Sequence, residues 1–252
     1  MNTDNIINSI NDVFESGSRK EHLLQFLNKV KVGLDEAPAS SSHQYHHAYR
    51  GGLAAHILEV YGVLKALGDG LVEHSLCYTN SDNKLTEEFT MGEDSYSMLH
   101  CLTNDSYLMV SILHDIHKVC DSQDQVQYEP NILKSGSQSD KVPYKLNKEC
   151  YSYNCLSPED HEQHEPLRSL AWLFQNKKVE IKNGGVRSLA LIAAKHPALI
   201  DELTPYEMDA IEFHGGAYET SKFTLAGKEN PLMLLMHCAD MLSSRFGKTR
   251  KI

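Results

Sequence analysis

Apolar residues recur at helical spacing through most of the chain. Between residues 4 and 34, Ile6, Ile7, Ile10, Val13 and Phe14 are followed by Leu23, Leu24, Leu27 and Val30, and Gly17-Ser18 separates two predicted helices. The stretch from Pro38 to Ser42 reads as a loop. Gly52 to Leu67 then places Leu53, Ile57, Val60, Leu64 and Leu67 on one face. Residues 68–97 are polar and poorly patterned, although Leu71–Tyr78 could extend the preceding helix. A further helix is predicted from Ser106 to Lys118, capped by Asn104 or Asp105.

Residues 121–160 break the pattern with Pro130, Gly136, Pro143 and Pro158. That tract is too long for an ordinary connection. It reads as an insertion over a site or a short hairpin at 141–153, and not as a second domain. Helical spacing returns at Pro166–Gln175 and at Gly185–Lys195. Thr204-Pro205-Tyr206-Glu207 carries a capping box with Pro at the first helical position, opening a helix that ends at His214. Asn230-Pro231 opens the last helix, which passes through Asp240. The expected fold is all-α, a single helical bundle with the irregular insertion at about 121–160.

Bulk properties narrow the function classes. With 41% apolar and 23% charged residues, the chain of 252 residues reads as a soluble globular protein. A net charge of −10 argues against long nucleic acid or an acidic membrane as the main partner. No run of residues is apolar enough for a membrane helix, and the polar, acidic N-terminus lacks a signal-peptide pattern, so a cytoplasmic location is expected. The six cysteines are scattered and expected to be free thiols.

The candidate chemistry lies at the ends of apolar segments. His114-Asp115 closes one apolar helix, and His56, His164, His214 and Asp240 lie beside others. A lone His near an apolar face is more often a hydrogen-bonded core residue than a ligand. Several together would be costly to bury unpaired, and a metal ion would account for all of them. No Gly-rich phosphate loop, Ser elbow or CxxC pair offers a competing chemistry.

In this order, His56, His114-Asp115 and Asp240 resemble the H…HD…D signature of the HD-domain metal-dependent phosphohydrolases. The stretch His46-His47-Ala48-Tyr49-Arg50-Gly51-Gly52-Leu53-Ala54-Ala55-His56 is similar to the HHAYxGGLxxH motif in the HD domain of bacterial 3′→5′ exoribonucleases. His114-Asp115-Ile116-His117-Lys118 resembles their HDxxK, and Ala239-Asp240-Met241-Leu242-Ser243-Ser244-Arg245 resembles their closing motif. The likeness spans residues 43–246, with 1–42 as N-terminal helices packing on the core and 247–252 as a tail. No counterpart of the nucleic-acid-binding OB domain of those exoribonucleases is expected within these residues.

The resemblance implies that His56, His114, Asp115 and Asp240 hold one metal, and that His164 and His214 support a second. His161 is a rival to His164. The cofactor implied is one or two divalent cations per chain, drawn from Mn, Mg, Fe, Ni, Co or Zn. Asp115 would be the bridging catalytic carboxylate, Lys118 and Arg50 the phosphate clamps, and His46, His47 and Tyr49 the pocket lining. His117, where relatives carry Gly, is either an exposed substitution or an extra ligand or proton carrier. His237 is a candidate partner for a ligand. The implied reaction is hydrolysis of a phosphoester or phosphoanhydride in a nucleotide, a deoxynucleotide among the candidates, by metal-activated water. The alternatives are a 3′→5′ exonuclease of short oligonucleotides and a non-catalytic nucleotide-binding regulatory module; an HD-fold oxygenase using two irons needs similar ligands. Whether the chain forms an oligomer is left open.

Overall fold

Helices form at each predicted site among the described residues. The computed structural model describes residues 2–42, 46–73, 89–91, 94–96, 101–119, 126–147, 183–216 and 229–246. The chain is mostly helical there. It runs through α1 (Asn2–Val13), α2 (Ser18–Glu36), α3 (Gly52–Glu73), α4 (Asn104–Leu113), α5 (Gly184–Lys195), the single turn α6 (Pro197–Ile200), α7 (Pro205–Glu212) and α8 (Pro231–Phe246). A 3-10 helix at Ile116–Val119 follows α4. The helix expected at Pro166–Gln175 lies outside the described residues.

One continuous core joins these helices. Ile6, Ile10, Leu23, Phe26 and Leu27 from the first two helices share it with Leu53, Ile57 and Leu64 of α3, Leu108 and Ile112 of α4, and Ala239 of α8. The apolar face predicted for α3 is the buried one, and α3 packs against both α4 and α8. Burying side chains of this size contributes roughly 1.5–3 kcal/mol each against chain entropy. The last helices begin as the sequence predicts. Thr204 and Glu207 form a reciprocal capping box on α7, and Asn230 Oδ1 accepts the Met233 N–H at 2.8 Å to open α8.

Three expectations are corrected in detail. The cap of α4 is Thr103, whose side chain accepts from Ser106 N, and neither Asn104 nor Asp105. Asn104 and Asp105 lie inside the first turn instead, where an acidic residue still suits the helix dipole. α4 also ends at Leu113, so the residues from His114 to Lys118 form a tight turn and not a continuing α-helix. In the insertion, the hairpin pairs β3 (Tyr128–Pro130) with β4 (Tyr144–Leu146), so its second strand falls within the expected range 141–153 and its first strand precedes that range. Its far end turns through Gly136 at φ 84, a conformation that favours glycine. A second antiparallel pair, β1 (Phe89–Met91) with β2 (Asp94–Tyr96), lies in the polar stretch that carried no strand pattern. Among the described residues no helix is long and apolar enough to cross a membrane, and the described cysteines, Cys101 and Cys238, are free thiols.

Candidate metal centre

Four helices converge on one polar point within this apolar core. α3 supplies His56, the end of α4 supplies His114 and Asp115, the end of α7 supplies His214, and α8 supplies Asp240. One ligand atom from each of His56, His114 and Asp115 lies within 4.8 Å of the others, and all three residues are buried. This cluster can hold a metal ion. Asp240 Oδ1 is 3.1 Å from His56 Nε2 and 3.9 Å from His114 Nε2. His214 Nε2 stands 3.8 Å from Asp115 Oδ1, on the other oxygen from the one that faces His56 and His114.

The backbone sets the direction of each imidazole. His114 Nδ1 is 2.8 Å from the Ser111 carbonyl, and His214 Nδ1 is 2.8 Å from the Ile211 carbonyl. A carbonyl only accepts, so both Nδ1 atoms carry the proton and both Nε2 atoms are left with a lone pair. Each bond reaches back three residues, to a carbonyl freed where the helix ends. His56 Nδ1 joins Ser243 Oγ at 3.0 Å, one turn beyond Asp240 on α8. Nε2 of His56 and Nε2 of His114 then face each other at 3.4 Å. A proton on His56 Nε2, shared with Asp240 Oδ1 at 3.1 Å, or a metal ion would separate the two nitrogens. Nitrogens at that spacing, each about 2.1 Å from one ion, subtend roughly 110° at it, near the tetrahedral value. The donor set therefore fits a divalent ion of the borderline type that takes imidazole and carboxylate.

Electrostatics favour the ligating protonation states. Burial pushes the His114 pKa down to about 4, so the ring is neutral at pH 7. Burial alone would raise Asp115, yet the Lys118 ammonium and the His114 and His214 rings hold its carboxyl well below the usual range. Asp240 is likewise lowered against its burial, chiefly by the hydrogen bond to His56.

The remaining expected residues divide into those at the cluster and those beside it. Lys118 Nζ lies 2.5 Å from Asp115 Oδ2 and 2.9 Å from the Ala39 carbonyl, so two of its three donors are taken inside the protein. His46 stacks at a tilt beside His56, with ring centroids 4.4 Å apart, and burial takes its pKa down to about 3. His47 Nε2 turns to Glu59 on α3 at 3.0 Å, and Tyr49 packs beside the His47 ring with centroids 5.9 Å apart. Arg50 pairs with Glu36 at the surface, its side chain 74% exposed, and no contact joins it to the cluster. His164 and its rival His161 lie outside the described residues.

The motif around Gly51-Gly52 has a backbone reason. His47 sits at φ 47 and Gly51 at φ 71, and a Cβ at position 52 would strike the His47 carbonyl. That carbonyl accepts from Ala39 N and Tyr49 N, which locks the turn leading into α3. The glycines therefore serve the tight turn that brings His46 against His56.

Two supporting residues emerge from the geometry. Ser188 on α5, fully buried, donates through Oγ to the His114 carbonyl at 2.6 Å. It also receives His117, whose Nδ1 is 3.0 Å away. His117 is thus buried and bonded, which removes the reading of an exposed substitution. A lone Ser in an apolar helix carries no sequence signal, so Ser188 was not legible. His237 on α8 donates through Nδ1 to the His214 backbone carbonyl at 2.7 Å, one step removed from the cluster. Compared with protein-family models, with curated proteins and with solved structures, the chain matches none.

Proposed function

We propose that this chain is a metal-dependent phosphohydrolase of the HD type, acting on a phosphoester or phosphoanhydride of a nucleotide. The observation that carries the reading is the buried meeting of His56, His114 and Asp115, with Asp240 3.1 Å from His56. The order H…HD…D and the HHAYRGG turn support it from the sequence. His56, His114, Asp115 and Asp240 would hold the ion. A divalent cation there supplies Lewis acidity, polarising a phosphoryl oxygen and lowering the pKa of water.

The chain's own groups do the rest. Asp115 and Asp240 stay ionised, so they would offset the charge of an ion held there. Lys118 orients Asp115 and leaves one ammonium hydrogen for a phosphoryl oxygen. The apolar core around the cluster lowers the local dielectric and strengthens each of these interactions. The acidic net charge favours a small nucleotide over a long strand.

The test is a panel of nucleoside mono-, di- and triphosphates, deoxynucleotides and short oligonucleotides, run with Mn, Mg, Ni or Co and read for phosphate and nucleoside. Turnover is expected with at least one metal, and Asp115→Ala should abolish it. Shortening of oligonucleotides from the 3′ end would assign the exonuclease reaction instead. Nucleotide binding without turnover under every metal would reject hydrolysis and leave a binding module.

A further inference from the structure

The loop before α3 brings two imidazoles to the cluster, and they are not equivalent. Nε2 of His47 is occupied by Glu59 at 3.0 Å, and its Nδ1, though also buried without a partner, belongs to a ring 5.8 Å from that of His56 against 4.4 Å for His46. Nε2 of His46 is buried and has no hydrogen-bond partner. A buried polar atom left unpaired costs about 1–3 kcal/mol, so a native structure that keeps one invites an explanation. The ring is not loosely placed. Ser40 Oγ donates to the His46 carbonyl at 2.5 Å, the next residue is held at positive φ, and the ring lies 4.4 Å from that of His56. It is also close enough to Asp115, Asp240 and Lys118 to feel their charges. The loop spends backbone strain to present this nitrogen beside the metal-binding groups.

We infer that His46 is a substrate-contacting residue, its Nε2–H donating a hydrogen bond to an oxygen of the phosphoryl group bound at the His56–His114–Asp115 cluster. The inference rests on the phosphohydrolase reading and adds to it the atom that recognises the phosphate. The partner that Nε2 lacks is then an oxygen of the ligand. His47, turned to Glu59, supports the loop and makes no such contact. A hydrogen bond to an anionic oxygen is among the stronger ones, so its loss should weaken phosphate binding by about tenfold or more.

The experiment uses full-length protein with Mn as the metal and inorganic phosphate as the probe. Wild type, His46→Phe and His46→Gln are each titrated with Mn, and the Mn-loaded proteins are then titrated with phosphate. The glutamine amide can still donate near the position of Nε2, whereas phenylalanine keeps only the ring. All three proteins should bind Mn alike. Phosphate affinity should fall about tenfold in His46→Phe and be largely kept in His46→Gln. Unchanged phosphate affinity in His46→Phe overturns the role of His46. Equal loss in both variants overturns it too, since a donor would then be irrelevant, and a loss of Mn in either variant makes His46 a ligand or a support of the site. Absence of Mn binding in wild type would instead reject the metal reading beneath it.

Discussion

The Ser188 hydroxyl donates to the backbone carbonyl of His114 across 2.6 Å, and so ties α5 to the turn that carries the histidine and aspartate of the cluster. That carbonyl sits where α4 has ended and no helical partner remains. Ser188 also accepts from His117, so one small side chain satisfies groups on both sides of Asp115. Ser188→Ala leaves these buried groups unpaired. The expected cost is about 1–3 kcal/mol of stability, with Mn affinity lowered on the order of 10-fold, as for other groups that orient ligands. Urea midpoints and Mn titrations check both. Lost stability with unchanged Mn affinity would reduce Ser188 to packing.

Lys118 and Asp115 form a buried pair in which the ammonium competes with a metal for the same carboxylate oxygen. Lys118→Met leaves Asp115 without its cation. The metal-free variant should lose about 3–5 kcal/mol, the usual cost of breaking a buried pair. A divalent ion would then restore what the lysine supplied. The rise in Tm on adding Mn should therefore be larger in Lys118→Met than in wild type. Turnover should nevertheless drop by about 10²–10³-fold, the scale of one lost electrostatic donor. An identical Mn-induced rise in both proteins would contradict the competition.

The residues that obeyed local rules were legible, and those set by tertiary contacts were not. Thr204 to Glu207 and Asn230 announced their helices because caps act within a single turn. His56, His114, Asp115 and Asp240 come together because they lie on or beside three apolar helices, α3, α4 and α8, that share one core. Arg50 was expected at the phosphate as a cation that stabilises phosphoryl charge. Sequence proximity does not fix where a long side chain leaves a turn, and Glu36 on α2 takes it. The hairpin begins before the expected range, at Tyr128, because its register depends on the Gly136 turn and on docking. Tyr144 N bonds the Ser41 carbonyl at 3.2 Å, and Gln127 N bonds the Lys118 carbonyl at 2.9 Å. Those contacts link loop to loop and leave no periodic trace.

Acid should unfold the metal-free protein in a defined window. Burial lowers the pKa of His114 and of His47 to about 4. In the unfolded chain an imidazole titrates near ~6.5. Between these values the unfolded state binds more protons than the folded one, so stability rises with pH and is lost as pH falls from 6.5 towards 4. His114 alone accounts for about 3 kcal/mol across that window, and neighbouring rings do not add independently. Asp115 and Asp240, held low, contribute stability that is present above about pH 4 and lost below it. Denaturant midpoints measured without metal at pH 7 and pH 4.5 check the slope. Equal midpoints would show that these imidazoles do not stay neutral in the folded protein.

The two oxygens of Asp115 face different partners, and that bears on metal number. Oδ2 is directed to His56, His114 and Lys118, while Oδ1 lies 3.8 Å from His214 Nε2. A carboxylate can bridge two ions, whereas an imidazole nitrogen with one lone pair cannot. His214 is prepared for ligation in the same way as His114, by a backbone carbonyl on Nδ1, and its own carbonyl is pinned by His237. A second ion between Asp115 Oδ1 and His214 would use this side of the carboxylate, with His164 as the further ligand proposed from the sequence. Reconstituted protein should then carry near two metals per chain, and His214→Ala near one, with the folded state intact by circular dichroism. His237→Ala should lower the affinity of the weaker site alone, by about 10-fold, since it orients His214 and touches nothing at the first. One metal in wild type, unchanged in His214→Ala, would confine the centre to His56, His114, Asp115 and Asp240.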